Sequence, residues 1–322
     1  MNSAKGNLKL NWLRFSGIPD LQITDITYSP VYPFKGFPVQ FSARVANTGT
    51  GASPSGVLHR IEIMIDGKKE SIMVSDKHYA PIAAGSTVTI KTDNGVWKAV
   101  EGKHKVSAEI DKSNSIKELD KNNNSYNEDI EVPVALPAPW KLNDIGAPTV
   151  KGMAGYYSGG RFVMAGVGSD MWNNSDECSF VNAEVSGDAS ISARFISQEN
   201  TAGWAKTGLM FRESLQDNSK LVMVIRNPGN HYELQYREET DGNMKAIGLS
   251  GSGSFTLPRY TKLERKGNTF NVYMSNDGKS WGVPAASVEV ALKADMMAGV
   301  VVNSQSSGLN CMVTFDNLKL DK

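Results

Sequence analysis

Two short runs in the second half of the chain concentrate the side chains best suited to binding chemistry. Successive residues of a strand alternate between faces. In the run from Trp204 to Arg212, Lys206, Gly208, Met210 and Arg212 therefore share one face, and Thr207, Leu209 and Phe211 the other. In the run from His231 to Arg237, Glu233, Gln235 and Arg237 oppose Tyr232, Leu234 and Tyr236. One face thus carries Lys206, Arg212, Gln235 and Arg237, long side chains that hydrogen-bond hydroxyl groups. Trp204, Trp172 and His231 supply flat rings beside them that can stack on the C–H face of a sugar. The combination points to carbohydrate binding. A solvated outer sheet face is also polar, and parity does not say which side is concave, so both readings stay open here.

Asp170, Asp176 and Asp316 offer hard oxygens of the kind calcium takes, and each also sits where an aspartate caps a turn. Earlier in the chain, Asp111, Asn114, Glu118, Asp120, Asn122 and Asn123 pose the same choice between calcium and an Asx-rich turn, without EF-hand spacing. The four histidines, His59, His78, His104 and His231, lack metal-ligand spacing, and no HExxH or paired CxxC occurs. There is no G-x-S-x-G elbow, no P-loop and no G-x-G-x-x-G, which argues against hydrolase-elbow and nucleotide chemistry. Glycosidases need two carboxylates about 5 to 10 Å apart. Glu213 with Glu233 or Glu238 is the conceivable pair, but no short motif places two carboxylates on one strand, and the expectation is a protein without catalysis. Cys178 and Cys311 are too few for a disulfide scaffold; one bridge and two buried thiols are both compatible with their positions.

Sheets must position these residues, because helical periodicity is nearly absent. Strand-like runs such as 39–46, 60–65, 105–110, 190–196, 221–225 and 269–274 recur between Gly, Asn, Asp and Pro clusters, the pattern of β-sandwiches. Short helical candidates at 115–120 and 287–296 remain, the second alternating equally well as a strand. Asn47 with Gly49, and Asn276-Asp277-Gly278, read as turns needing positive φ. At 322 residues the chain suits two domains. Three prolines within residues 132–140 mark the boundary as a stiff linker. The 34 basic and 34 acidic residues cancel, which leaves no whole-chain electrostatic footprint for nucleic acid. No apolar run reaches the roughly 18 to 20 residues of a membrane span.

Motifs refine this division. Pro19-Asp-Leu-Gln-Ile23, the run from Phe41 to Thr50, and the ending from Glu109 to Asn124 make residues 19–134 resemble a CARDB-type immunoglobulin-like module. A linker over 135–141 follows. Residues 142–322 resemble a laminin-G-like or concanavalin-like sandwich of the kind appended to bacterial glycoside hydrolases. That resemblance rests on the run from Trp204 to Leu215, on the run from Ser275 to Trp281 and on Phe315-Asp-Asn-Leu318. Residues 1–18, through Asn7-Leu-Lys-Leu-Asn-Trp-Leu-Arg-Phe15, resemble the last strand of a family-six-type carbohydrate-binding module. The resemblances imply a polysaccharide-binding and spacer region of a larger secreted or cell-surface bacterial enzyme, monomeric, with a catalytic module in the same polypeptide. Calcium is the cofactor they suggest. A structural or adhesive spacer without sugar binding is the competing reading.

Overall fold

The computed structural model describes residues 17–322, so the strand expected over residues 7–15 lies outside the described residues. Strands dominate and no α-helix occurs among the described residues. The chain divides between Val132 and Pro133 into two compact units, each a β-sandwich.

The first unit holds β1 (Leu21–Ser29), β2 (Pro38–Asn47), β3 (Ile61–Ile65), β4 (Met73–Val74), β5 (Thr87–Lys91), β6 (Trp97–Lys98), β7 (Gly102–Ile110) and β8 (Ser125–Val132). One sheet has the order β1-β2-β5 with β6 added to β2, and the other runs β4-β3-β7-β8. Alternation produces the core: Val39, Phe41, Ala43 and Val45 of β2 are buried and pack with Ile61, Ile63, Val106 and Ile130. The turn after β2 differs from expectation, since neither Asn47 nor Gly49 has positive φ. Instead the buried Asn47 amide holds the loop, accepting from Asp20 N and Gly49 N and donating to Gly51 O and Ile82 O. Gly49 serves close approach, because a Cβ there would sit 2.3 Å from Ile18 O. The helical candidate at 115–120 is irregular chain.

The second unit continues with β9 (Lys141–Ile145), β10 (Met153–Tyr156), β11 (Arg161–Gly168), β12 (Cys178–Ser186), β13 (Ala189–Gln198), β14 (Lys206–Arg212) and β15 (Leu221–Arg226). It ends with β16 (Tyr232–Arg237), β17 (Lys245–Gly248), β18 (Arg259–Lys266), β19 (Thr269–Ser275), β20 (Ala286–Glu289), β21 (Asp295–Asn303) and β22 (Ser306–Asp321). The proline-rich segment belongs to this unit: Val134 exchanges both backbone hydrogen bonds with Tyr156, and Leu136 and Trp140 pack against its core. Two seven-stranded sheets face each other, ordered β10-β11-β22-β13-β18-β19-β20 and β17-β16-β15-β14-β21-β12-β9. The expected turn at Gly278 has φ 69°, with the Asp277 carboxylate accepting from Lys279 N and Ser280 N.

Between the sheets lie Leu209, Phe211, Val222, Val224, Leu234, Leu263, Phe270, Val300 and Phe315. A second apolar layer, with Met171, Phe180, Met210, Leu221, Met223, Ile225, Met244 and Val301, covers the outer face of the second sheet. Every residue of β14 and β15 is consequently buried. These strands are enclosed on both sides, and this arrangement decides the fate of the polar face read from the sequence.

Candidate functional site

Register confirms the parity. Arg212, Leu221 and Arg237 lie side by side across β14, β15 and β16, followed by Met210, Met223 and Gln235, then Gly208, Ile225 and Glu233. The face they share is closed at the arginine end, because three loops fold over it. Met171 from the β11–β12 loop and Met244 from the β16–β17 loop pack on Met210 and Met223, and Met244 N donates to Trp172 O at 3.1 Å.

The expectation that Arg212 and Arg237 present donors to a ligand is therefore corrected. Both are fully buried. Arg237 forms a two-pronged pair with Asp176, 2.8 Å for each N–O contact, and donates to the carbonyls of Gly242, Asn173, Asp217 and Ser219. Arg212 reaches Asp176 at 3.2 Å and donates to the carbonyls of Ser214 and Gln216. The cause is the satisfaction of buried polar groups: loop carbonyls removed from water need donors, and a buried guanidinium needs acceptors. Together the two arginines and Asp176 stitch the β11–β12, β14–β15 and β16–β17 loops onto the sheet. Lys206 is likewise 2 % exposed and spends its ammonium on Asp170 at 2.6 Å.

The three aspartates expected as calcium ligands do not meet. Asp170 holds Lys206, Asp176 lies between Arg212 and Arg237, and Asp316 forms a two-pronged pair with Arg194 on the outer face of the other sheet. In each case a cationic side chain stands where a metal ion would have to sit, and no group of three metal-binding side chains occurs among the described residues. In the first unit the same holds for Asp111 and Glu118, whose buried carboxylates both bind the ammonium of Lys121, at 2.6 and 2.5 Å. Cys178 and Cys311 are free thiols in different apolar layers, and burial pushes both up, Cys311 to about 11, so neither is a nucleophile at neutral pH.

The opposite end of the face is open. Trp204 is 44 % exposed and stands edge-on to His231, ring centroids 5.5 Å apart at 86°. Its backbone N–H donates to Gln305 Oε1 at 2.9 Å, which fixes the loop that carries it. His231 Nε2 meets Glu233 Oε1 at 2.9 Å, and Gln235 Nε2 donates to Glu233 Oε2 at 2.6 Å. Gln235 is 1 % exposed, and its Oε1 is a buried acceptor with no partner. The structure thus brings together Trp204, His231 and Gln235 of the expected set, joined by Glu233. The sequence places Glu233 on the polar face and also offers it as a conceivable catalytic carboxylate; its i, i+2 spacing from both His231 and Gln235 is the signal for its place here. Trp172, 42 % exposed on the β11–β12 loop, makes no described ring contact with Trp204 or His231.

Glu213 lies five residues beyond Gly208 in β14, about 16 Å along the strand from the row that holds Glu233, well outside a glycosidase pair. It binds Lys293 N at 2.8 Å with Lys220 and Lys293 ammonium groups nearby, while Glu238 pairs with Lys245. Two depressions of the second unit, about 510 and 400 Å³, adjoin at Glu184 near the β9–β12 edge, away from Trp204. An aromatic platform needs an exposed ring face rather than depth, so the Trp204 surface remains the stronger candidate.

No curated protein matches the chain. Among solved structures, it is similar to a Saccharomyces cerevisiae protein described as functionally unknown, with 13% identity over 56% of this chain and 95% of that one and a TM-score of 0.42. A carbohydrate-binding module from Bacillus subtilis gives 14% identity, 57% and 95% coverage and a TM-score of 0.34. The CARDB domain of a Pyrococcus furiosus protein in complex with di-metal ions gives 22% identity, 36% and 94% coverage and a TM-score of 0.28. Residues 18–128 match the CARDB family.

Proposed function

We propose that the second unit is a non-catalytic polysaccharide-binding module and that the first acts as its spacer within a larger secreted or surface protein. One observation carries the reading: a fixed, exposed Trp204 stands beside a polar group of His231, Glu233 and Gln235 on one sheet face. A flat ring receives the C–H face of a sugar, and the exposed His231 imidazole and the Glu233 carboxylate supply hydrogen-bonding groups for its hydroxyls, while the buried Gln235 amide holds that carboxylate from beneath. The separation of Glu213 from Glu233, together with the lysines that occupy Glu213 and Glu238, supports the non-catalytic part of the reading. Calcium has no role in this proposal, because the candidate aspartates are held by cationic side chains.

The closed arginine end favours a second reading, a structural spacer that binds no sugar. Affinity gel electrophoresis of the full chain across neutral and acidic polysaccharides separates the two. Retardation on at least one polysaccharide, weakened tenfold or more by Trp204→Ala, about 1.4 kcal/mol, with an unchanged melting temperature, is expected. An absence of retardation on every polysaccharide leaves the spacer reading. Retardation that Trp204→Ala and His231→Ala leave intact moves the site elsewhere.

A further inference from the structure

At one end of the second sandwich, side-chain hydroxyls and guanidinium groups gather between the sheets with no described carboxylate paired to them. Thr207, Arg226 and Tyr232 are cross-strand neighbours in β14, β15 and β16, on the inward parity of Leu209, Val224 and Leu234. From the facing sheet, Arg259 and Thr261 of β18 share the parity of the core residue Leu263. Ring contacts tie the two sides together. The Arg226 guanidinium lies 6.0 Å from the Tyr232 ring, Tyr232 stands edge-on to Phe255 at 5.7 Å, and the Arg259 guanidinium lies 5.4 Å from Phe255.

Thr207, Arg226, Tyr232 and Thr261 are each at most 4 % exposed. Of the eleven buried side-chain N or O atoms without a hydrogen-bond partner among the described residues, five belong to this group: Thr207 Oγ1, Arg226 Nε, Tyr232 OH, Arg259 Nε and Thr261 Oγ1. All five carry a hydrogen to donate, and the three hydroxyl oxygens can also accept. Neither guanidinium forms an ion pair with a described carboxylate: Arg226 donates to Gln198 Oε1 at 2.5 Å and Asn230 Oδ1 at 2.7 Å, and Arg259 to Asn276 Oδ1, all neutral amides. Burial disfavours the charge on Arg226 and raises the Tyr232 hydroxyl above an ordinary phenol, while both arginines pull that hydroxyl down again.

We propose that this end of the sandwich is a binding site for a small monovalent anion, a halide or a carboxylate, held by Arg226, Arg259 and the Tyr232 hydroxyl. The buried Arg226 guanidinium meets only neutral acceptors and lacks a counter-charge, and the half-buried Arg259 guanidinium adds a second unpaired positive charge at the same ring cluster. One anion removes both deficits. A bridging water can place its hydrogens on the Thr207, Tyr232 and Thr261 hydroxyl oxygens but brings no negative charge, so it leaves the buried Arg226 charge uncompensated and is the poorer occupant. The carboxylate could be a free ion or belong to an acidic sugar, and the site stands whether or not the Trp204 surface binds glycan.

Thermal unfolding of the full chain tests the proposal in chloride, bromide, acetate and glucuronate, each from 1 to 100 mM, with ionic strength held by sodium HEPES. A saturable rise of roughly 5 °C in at least one series is expected, lost in Arg259→Gln and reduced in Tyr232→Phe, which removes a single donor. A rise with glucuronate but not acetate assigns the site to an acidic sugar, and equal rises assign it to the free ion. If Arg259→Gln does not fold, a bromide-soaked wild-type crystal decides by an anomalous peak between Arg226 and Tyr232. Non-saturating shifts that persist in Arg259→Gln, or a bromide map with only water among these residues, overturn the proposal.

Discussion

Asp176→Asn removes the carboxylate on which two fully buried guanidiniums converge, and the geometry sets the size of the effect. The wild-type cluster holds three N–O contacts of 2.8, 2.8 and 3.2 Å and a net charge of one positive unit; the variant doubles that charge at the same place. Removing one partner of a buried ion pair costs about 3–5 kcal/mol, mainly because the remaining charge is left uncompensated. For a unit of this size each kcal/mol moves the midpoint by about 2–4 °C, so a fall of roughly 6–20 °C is expected. Charge sign supplies an internal control. Arg212→Met leaves Arg237 and Asp176 as a neutral, two-pronged pair, so it should cost less than Asp176→Asn although it deletes a larger side chain. Scanning calorimetry with urea titration of both variants measures the order. A loss below about 1 kcal/mol for Asp176→Asn, or a larger loss for Arg212→Met, would falsify the electrostatic account and leave the loops held by apolar packing alone.

The first unit carries two further tests. His59 is fully buried, with Nε2 on Ser53 Oγ at 2.6 Å and its ring edge-on to His78, and burial together with the His78 charge lowers its pKa below 6.5. A folded pKa below the unfolded one means that the unfolded chain binds the proton more readily. Stability from this residue is therefore complete above about pH 6.5 and is lost as pH falls beneath it. His59→Gln should flatten the pH dependence of urea midpoints in that window; an unchanged slope refutes the assignment. Lys121→Ala strips the ammonium from the buried Asp111 and Glu118 carboxylates. The expected loss is about 2 kcal/mol, less than for a fully buried pair because a third of Lys121 faces water. Restoration of the wild-type midpoint in Lys121→Arg but not Lys121→Met would separate charge from packing.

Strand parity made one part of this architecture legible in advance: Lys206, Arg212, Gln235 and Arg237 do share a face, because alternation depends only on the backbone. Their burial was not legible in the same way, since it depends on loops contributed by distant residues. Asp176 precedes Arg212 by 36 positions and Arg237 by 61, and no local pattern announces that pairing. A weaker signal was present in Leu221-Val-Met-Val-Ile225, which is apolar on both parities, as expected of a strand covered on both sides rather than one with a wet outer face. The aspartates looked like calcium ligands for a related reason: composition reveals oxygen donors but not the lysine or arginine that reaches them through space. Trp204 and His231 were identifiable because each lies at the edge of its strand, where a ring remains exposed with few neighbours to bury it.

The two ends of the sheet face follow from a single constraint acting in opposite directions. At the Arg212–Arg237 end, long loops cross the sheet, and their carbonyls require buried donors, which the arginines provide. At the Trp204 end, Glu233 is satisfied by its own face neighbours, His231 and Gln235, so no loop is needed to complete its hydrogen bonds. The rigid, fully buried β14 and β15 between them fix the register of both ends. Ordering the polar side chains beside Trp204 then costs little on ligand arrival, because Gln235 and Glu233 are already held. The locked arginines act through this rigidity, by holding the sheet that carries the Trp204 surface proposed to bind sugar, and they are too buried to meet a ligand themselves.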